Sequence, residues 1–171
     1  MYLQIKNDYS NLVAADSKLA KEEKKDCVVR AIAAVCNVSY VTAHRFCKEH
    51  FTRVDKQGTK NDKIEVAMNK FQEQGLEIDN RTFQVTRLEK ELVKNRYKLY
   101  GEEIWREKTL KSFIETNPNG HFLVMVAKHA LVVKDGEVID WNSFTFKPTR
   151  KVQGAFRLED NRIGTQTVLQ F

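Results

Sequence analysis

Nowhere does the sequence hold the ~20 consecutive apolar residues that a membrane-spanning helix requires, so a membrane partner is not expected. Its first residues, Met1-Tyr2-Leu3-Gln4-Ile5-Lys6, lack a basic head followed by a long apolar run and do not read as a signal peptide. Cysteines are scarce and odd in number: Cys27, Cys36 and Cys47. Without an export signal, this pattern implies free thiols in a reducing compartment, and a cytoplasmic location is the expectation. No Cys-x-x-Cys pair is present, so no structural zinc site is expected. His44, Cys47 and His50 fall at regular intervals on an expected helix, but positions i and i+6 point to different faces and do not share one metal. There is no aromatic RNA-stacking motif, zinc-finger repeat, internal repeat, low-complexity tract or linker.

What is present fits one domain spanning residues 1–171, large enough to bury a core. The 42% apolar and 30% charged content is that of an ordinary globular chain. The net charge is +6, but 29 basic residues are interleaved with 23 acidic ones. The densest run, Lys21-Glu22-Glu23-Lys24-Lys25-Asp26, nearly neutralises itself and reads as a solvated segment, so nucleic acid is not the expected partner.

Residues 1–20 carry scattered apolar positions and suggest a strand or extended arm leading into a polar loop. From Asp26 the pattern changes. Cys27 to Cys36 is almost wholly apolar with one charge, as in a buried helix. Asp26 is placed to cap it through its carboxylate, and Asn37 to end it. Ser39 reads as the N-cap of a second helix, Tyr40 to about Phe51. A third is predicted from Asn61 or Asp62 to Gln74, burying Ile64, Ala67, Met68 and Phe71 and stopped by Gly75. Leu76–Thr86 reads as a strand, Leu88–Tyr97 as a helix, and Thr109–Thr116 as a short helix.

The last third is β-rich: strands are predicted at Phe122–Ala127, His129–Val133, Val138–Trp141 and Lys151–Leu158. Asp135-Gly136 between two of these runs is a strong hairpin signal. Helices first and antiparallel strands later imply an α+β domain, with helices packed on a C-terminal antiparallel sheet.

A cysteine is a useful nucleophile only as thiolate. A helix N-terminus offers partial positive charge and unsatisfied amides, which favour a thiolate and can hold an oxyanion. Cys27 occupies such a place. Cys36 ends the same helix and Cys47 lies inside the next. A thiolate also needs a proton partner, usually histidine, oriented by a third group. A two-residue Asp135-Gly136 turn would pair Lys134 with Glu137, placing His129 opposite Asn142 and Leu131 opposite Asp140. Side chains alternate, so His129, Asp140 and Asn142 share one face of the hairpin. Asn142 would be the direct neighbour of His129 and Asp140 the diagonal one.

These residues carry a resemblance. Asp26-Cys27-Val28-Val29-Arg30-Ala31-Ile32-Ala33, followed by Tyr40-x-x-Ala43-His44, resembles the start of a group of papain-like proteins common in phages and bacteria. Gly120-His121-Phe122-Leu123-Val124-x-Val126-x-x-His129-Ala130-Leu131-Val132-Val133-x-Asp135-Gly136-x-Val138-x-Asp140 is similar to that group's second half, and to bacteriocin-processing peptidases. The similarity covers roughly residues 24–51 and 108–158. It implies a papain-like fold with Cys27 as nucleophile, His129 as base and Asp140 as third member; true papains use asparagine, a role open to Asn142. One departure stands out. Papain-like enzymes carry a glutamine a few residues before the cysteine as part of the oxyanion hole, and Lys21–Asp26 holds none. That leaves the hole to backbone amides of Cys27 and its neighbours, to the Asp26 region, or incomplete.

The expected function is a cysteine hydrolase or acyl transferase acting on a peptide, isopeptide or amide bond through a Cys-His-Asp/Asn site. It would be phage-encoded and act in the host cytoplasm on a protein or peptide, with no cofactor and no metal. The alternative is an inactive papain-like scaffold that binds a host protein.

Overall fold

The computed structural model describes residues 5–6, 18–88, 92–94, 105–140 and 149–162. Among these residues the order begins with strand β1 (Ile5–Lys6) and helices α1 (Lys18–Glu22), α2 (Cys27–Cys36), α3 (Tyr40–His50) and α4 (Asn61–Gln74). Strands β2 (Leu76–Ile78), β3 (Arg81–Arg87), β4 (Leu92–Lys94) and β5 (Trp105–Glu107) follow, then helix α5 (Leu110–Thr116). Strands β6 (His121–Val126), β7 (His129–Lys134), β8 (Glu137–Ile139) and β9 (Val152–Asp160) complete the order. The fold is α+β, as expected.

Among the described residues the principal sheet has seven strands, in the order β1-β8-β7-β6-β9-β3-β2. All neighbours run antiparallel except β1, which lies parallel on the β8 edge. The last strand among the described residues, β9, therefore lies inside the sheet, between β6 and β3.

Alternation along β6 and β7 separates two cores. Leu123, Met125, Ala130 and Val132 pack with the helices α2 to α4, while Phe122, Val124, Leu131 and Val133 pack with Leu110 and Phe113 of α5. Helix α2 is buried along nearly its whole length. Ala31, Ala33 and Ala34 let it approach closely, and burying Val28, Val29, Ile32 and Val35 contributes about 1.5–3 kcal/mol for each larger side chain. It ends in left-handed Asn37 (φ 52°), and Arg81 of β3 donates to the carbonyls of Cys36 (2.5 Å) and Asn37 (2.8 Å), closing the helix C-terminus with a cation. Ser39 caps α3 by accepting from the Thr42 amide at 3.2 Å.

Several expectations need correction. Asp26 precedes α2, but its side chain makes no hydrogen bond to the first-turn amides. Its carboxylate instead accepts from Arg30 Nε at 2.9 Å and Tyr40 Oη at 2.7 Å. The run from Lys21 to Asp26 is not uniformly solvated: the Glu23 and Asp26 carboxylates are turned inward. Leu76–Thr86 is divided into β2 and β3 by left-handed Asp79 and Asn80 (φ 52° and 56°), a turn suited to a tight hairpin. Leu92–Lys94, expected within a helix, is a strand paired antiparallel with β5. A short helix, α1, lies in the stretch expected to be extended or polar. No single helix among the described residues is long and apolar enough to cross a membrane.

Candidate active site

Cys27 is the first residue of α2 and is partly exposed, whereas Cys36 and Cys47 are buried. Because the Asp26 carboxylate is drawn off to Arg30 and Tyr40, it does not cover the amides at the start of α2. That leaves the helix N-terminus as a source of donors beside the thiol.

The β7–β8 hairpin brings the second component. Asp135 and Gly136 both have positive φ (46° and 81°), and Lys134 pairs with Glu137, as the sequence predicts. Strand β7 begins at His129, just after left-handed Lys128 (φ 56°), so the imidazole stands at the end of the sheet. There a register shift at Met125/Val126 loosens the β6–β9 ladder, a local irregularity of the kind that re-aims neighbouring side chains.

His129 Nε2 lies 2.8 Å from Asp140 Oδ2. The Asp140 carboxylate is 1% exposed and the imidazole 11%. The Cys27 side chain acts on the same ring, adding to the upward pull of Asp140 on its pKa. Burial alone works against a charged ring. The hydrogen bond to Asp140 and its negative charge, aided by the Cys27 side chain, outweigh it, and the His129 pKa is pushed up to about 9. The site thus holds an imidazolium between a buried carboxylate and a cysteine at a helix N-terminus. Such an arrangement can stabilise a thiolate and deliver a proton to a leaving group.

Cys27, His129 and Asp140 are therefore brought together. Asn142 lies outside the described residues. His121 sits away from this group, with Asp135 3.7 Å from its Nε2; burial and the nearby Lys134 hold its pKa below the usual value.

A second buried polar cluster went unrecognised in the sequence. Glu23 Oε2 meets Arg53 Nη2 at 2.5 Å and His44 Nε2 at 3.1 Å, and Glu23 Oε1 accepts the Lys56 amide at 2.7 Å. Glu23, His44 and Asp55 offer donor atoms within 4.8 Å of one another, the one metal-like grouping among the described residues. The Arg53 guanidinium already supplies positive charge to the Glu23 oxygen that faces His44, so the chemistry of the set is that of an ion-pair clamp. The histidines and cysteine on α3 do not converge. Cys47 is in the core, His44 faces Glu23, and His50 packs on Phe46 and Phe71. No local pattern marks Glu23 or Arg53, because each acquires its meaning from a partner distant in sequence.

Comparison with protein-family models, curated proteins and solved structures finds no match for the chain.

Proposed function

We propose that the protein is a papain-like cysteine hydrolase or acyl transferase that uses Cys27, His129 and Asp140 on a peptide, isopeptide or amide bond. The observation that carries this reading is the 2.8 Å hydrogen bond from His129 to buried Asp140, with Cys27 at the start of α2 acting on the same imidazole.

In this reaction the Cys27 thiolate attacks the carbonyl carbon, and the resulting oxyanion is held by backbone amides of Cys27 and its neighbours. Collapse of the tetrahedral intermediate breaks the C–N bond as His129 gives its proton to the departing amine, leaving a thioester. Asp140 holds the ring in one orientation and stabilises its charge. Water or another nucleophile then releases the acyl group and restores the thiol. A phage-encoded protein acting on a protein or peptide in a host cytoplasm fits the sequence resemblance on which that part of the reading rests.

The pH dependence of Cys27 alkylation by iodoacetamide, in wild type and His129→Ala, tests the proposal. Rapid labelling well below pH 8 in wild type, lost in the variant, supports a working thiolate–imidazolium pair. An ordinary thiol profile in both would overturn it.

The second reading is a scaffold without turnover that binds a host protein, favoured by the missing glutamine before Cys27. A Cys27→Ala variant that keeps its full biological effect would support this reading over catalysis.

A further inference from the structure

Arg53 lies in the loop after α3, and its side chain is 0% exposed. Besides Glu23, its guanidinium reaches the carbonyls of Lys24 (3.2 Å), Lys25 (3.4 Å) and Gln57 (2.7 Å), and Thr59 Oγ1 at 3.5 Å. Taking a guanidinium and a carboxylate out of water costs several kcal/mol per ion before pairing offsets it. What the Arg53–Glu23 pair secures is the geometry of the segment it grips, which runs directly into Asp26 and Cys27.

That segment is held in an unusual form. Lys25 has φ 51°, a left-handed conformation that a lysine adopts at a cost. None of the described peptide bonds is cis, and in a trans peptide the N–H points opposite to the C=O of the same unit. With the Lys24 and Lys25 carbonyls turned to Arg53, the amides of Lys25 and Asp26 point away from it. Neither amide donates to a backbone carbonyl among the described residues. The Asp26 carboxylate is held by Arg30 and Tyr40.

We propose that Arg53 is a positioning residue for the Cys27 site. By holding the Lys24 and Lys25 carbonyls, it presents the Lys25 and Asp26 amides, with that of Cys27, to the oxyanion of an acyl substrate. A side-chain donor such as the glutamine of papain-like enzymes is then not needed. The inference rests on the acyl-transfer reading of Cys27, and its test separates the two.

Two probes of Cys27 differ in the step that matters. With iodoacetamide the thiolate forms the S–C bond as iodide departs to solvent, in a single displacement without an oxyanion. p-Nitrophenyl acetate is attacked at its carbonyl carbon: the S–C bond forms, charge collects on oxygen, and collapse expels p-nitrophenolate to leave an acetyl thioester. Acetylation and alkylation of Cys27 are measured by mass spectrometry in wild type, Arg53→Lys and Glu23→Gln. Lysine keeps the charge but has no fork to span two carbonyls; glutamine keeps an acceptor.

The expected result is a loss of Cys27 acetylation of roughly tenfold or more, with the alkylation rate and its pH profile retained. Equal losses with both probes, or unchanged acetylation in a folded variant, would overturn the role of Arg53. An ordinary thiol profile in wild type would instead remove the acyl-transfer reading itself. Should neither variant fold, amide NMR of wild type reacted with acetaldehyde decides. Shifts at the Lys25 and Asp26 amides on forming the hemithioacetal support the assignment, and their absence overturns it.

Discussion

Tyr40, the first residue of α3, donates its hydroxyl to the Asp26 carboxylate at 2.7 Å, so a residue fourteen positions on fixes the acid that precedes α2. The phenol is buried, and burial with the adjacent negative charge raises its pKa well above the ordinary value. Arg30 supports the same oxygen from within α2 at 2.9 Å. The bond ties α2 to α3 at the end where Cys27 lies.

Tyr40→Phe removes this donor and leaves the carboxylate short of one partner. A hydrogen bond to a charged group contributes about 1.5–3 kcal/mol, and urea denaturation of the variant is expected to show a loss in that range. An unchanged midpoint would mean that Arg30 alone suffices for Asp26.

The His129 proton ties stability to pH. Its folded pKa of about 9 lies above the ordinary 6.5, so the folded state binds this proton more tightly than the unfolded chain. The contribution is full below pH 6.5 and is lost as pH rises through 9. Asp140→Asn removes the largest of the raising influences, and should flatten the decline in urea midpoint between those limits. A variant with the wild-type slope would show that the pair does not govern it.

The three thiols should be chemically unequal. Burial pushes the Cys36 thiol up to about 12 and raises that of Cys47 as well. Native labelling followed by peptide mass spectrometry should find iodoacetamide on Cys27 alone, with Cys36 and Cys47 modified only after unfolding. Comparable native labelling at Cys47 would contradict its place in the core.

The turn that sets the hairpin register is open to a single substitution. Gly136 has φ 81°, and a Cβ there would meet the Pro118 carbonyl oxygen at 3.5 Å, an ordinary contact. The cost of Gly136→Ala is therefore one of backbone conformation, about 1–2 kcal/mol. Chemical denaturation should show that loss. The absence of a loss would mean that the turn relaxes to another form.

Much of the site was legible because its signals are local. Asp135-Gly136 determines how β7 pairs with β8, and alternation then assigns His129 and Asp140 to one face. The ends of α2, α3 and α4 follow from Asn37, Ser39 and Gly75, residues whose preferences act on their immediate neighbours. Long-range partners are what escaped. Glu23 looks solvated until Arg53, thirty residues on, is placed beside it. Asp26 reads as a helix cap until Tyr40 claims its carboxylate. Leu92–Lys94 takes its form from β5 across an intervening segment, information that no local window contains.

The place of β9 inside the sheet has a consequence for the order in which a ribosome delivers the parts. Cys27 leaves the tunnel with α2, before the imidazole and its carboxylate, which follow only with β7 and the residues after β8. Even then β6 has one edge without its neighbour until β9 emerges and slides between β6 and β3. A growing chain therefore carries the thiol without a partner until β7 and the residues after β8 have emerged. On the proposed function, its chemistry is withheld from neighbouring nascent proteins until the residues after β8 have emerged.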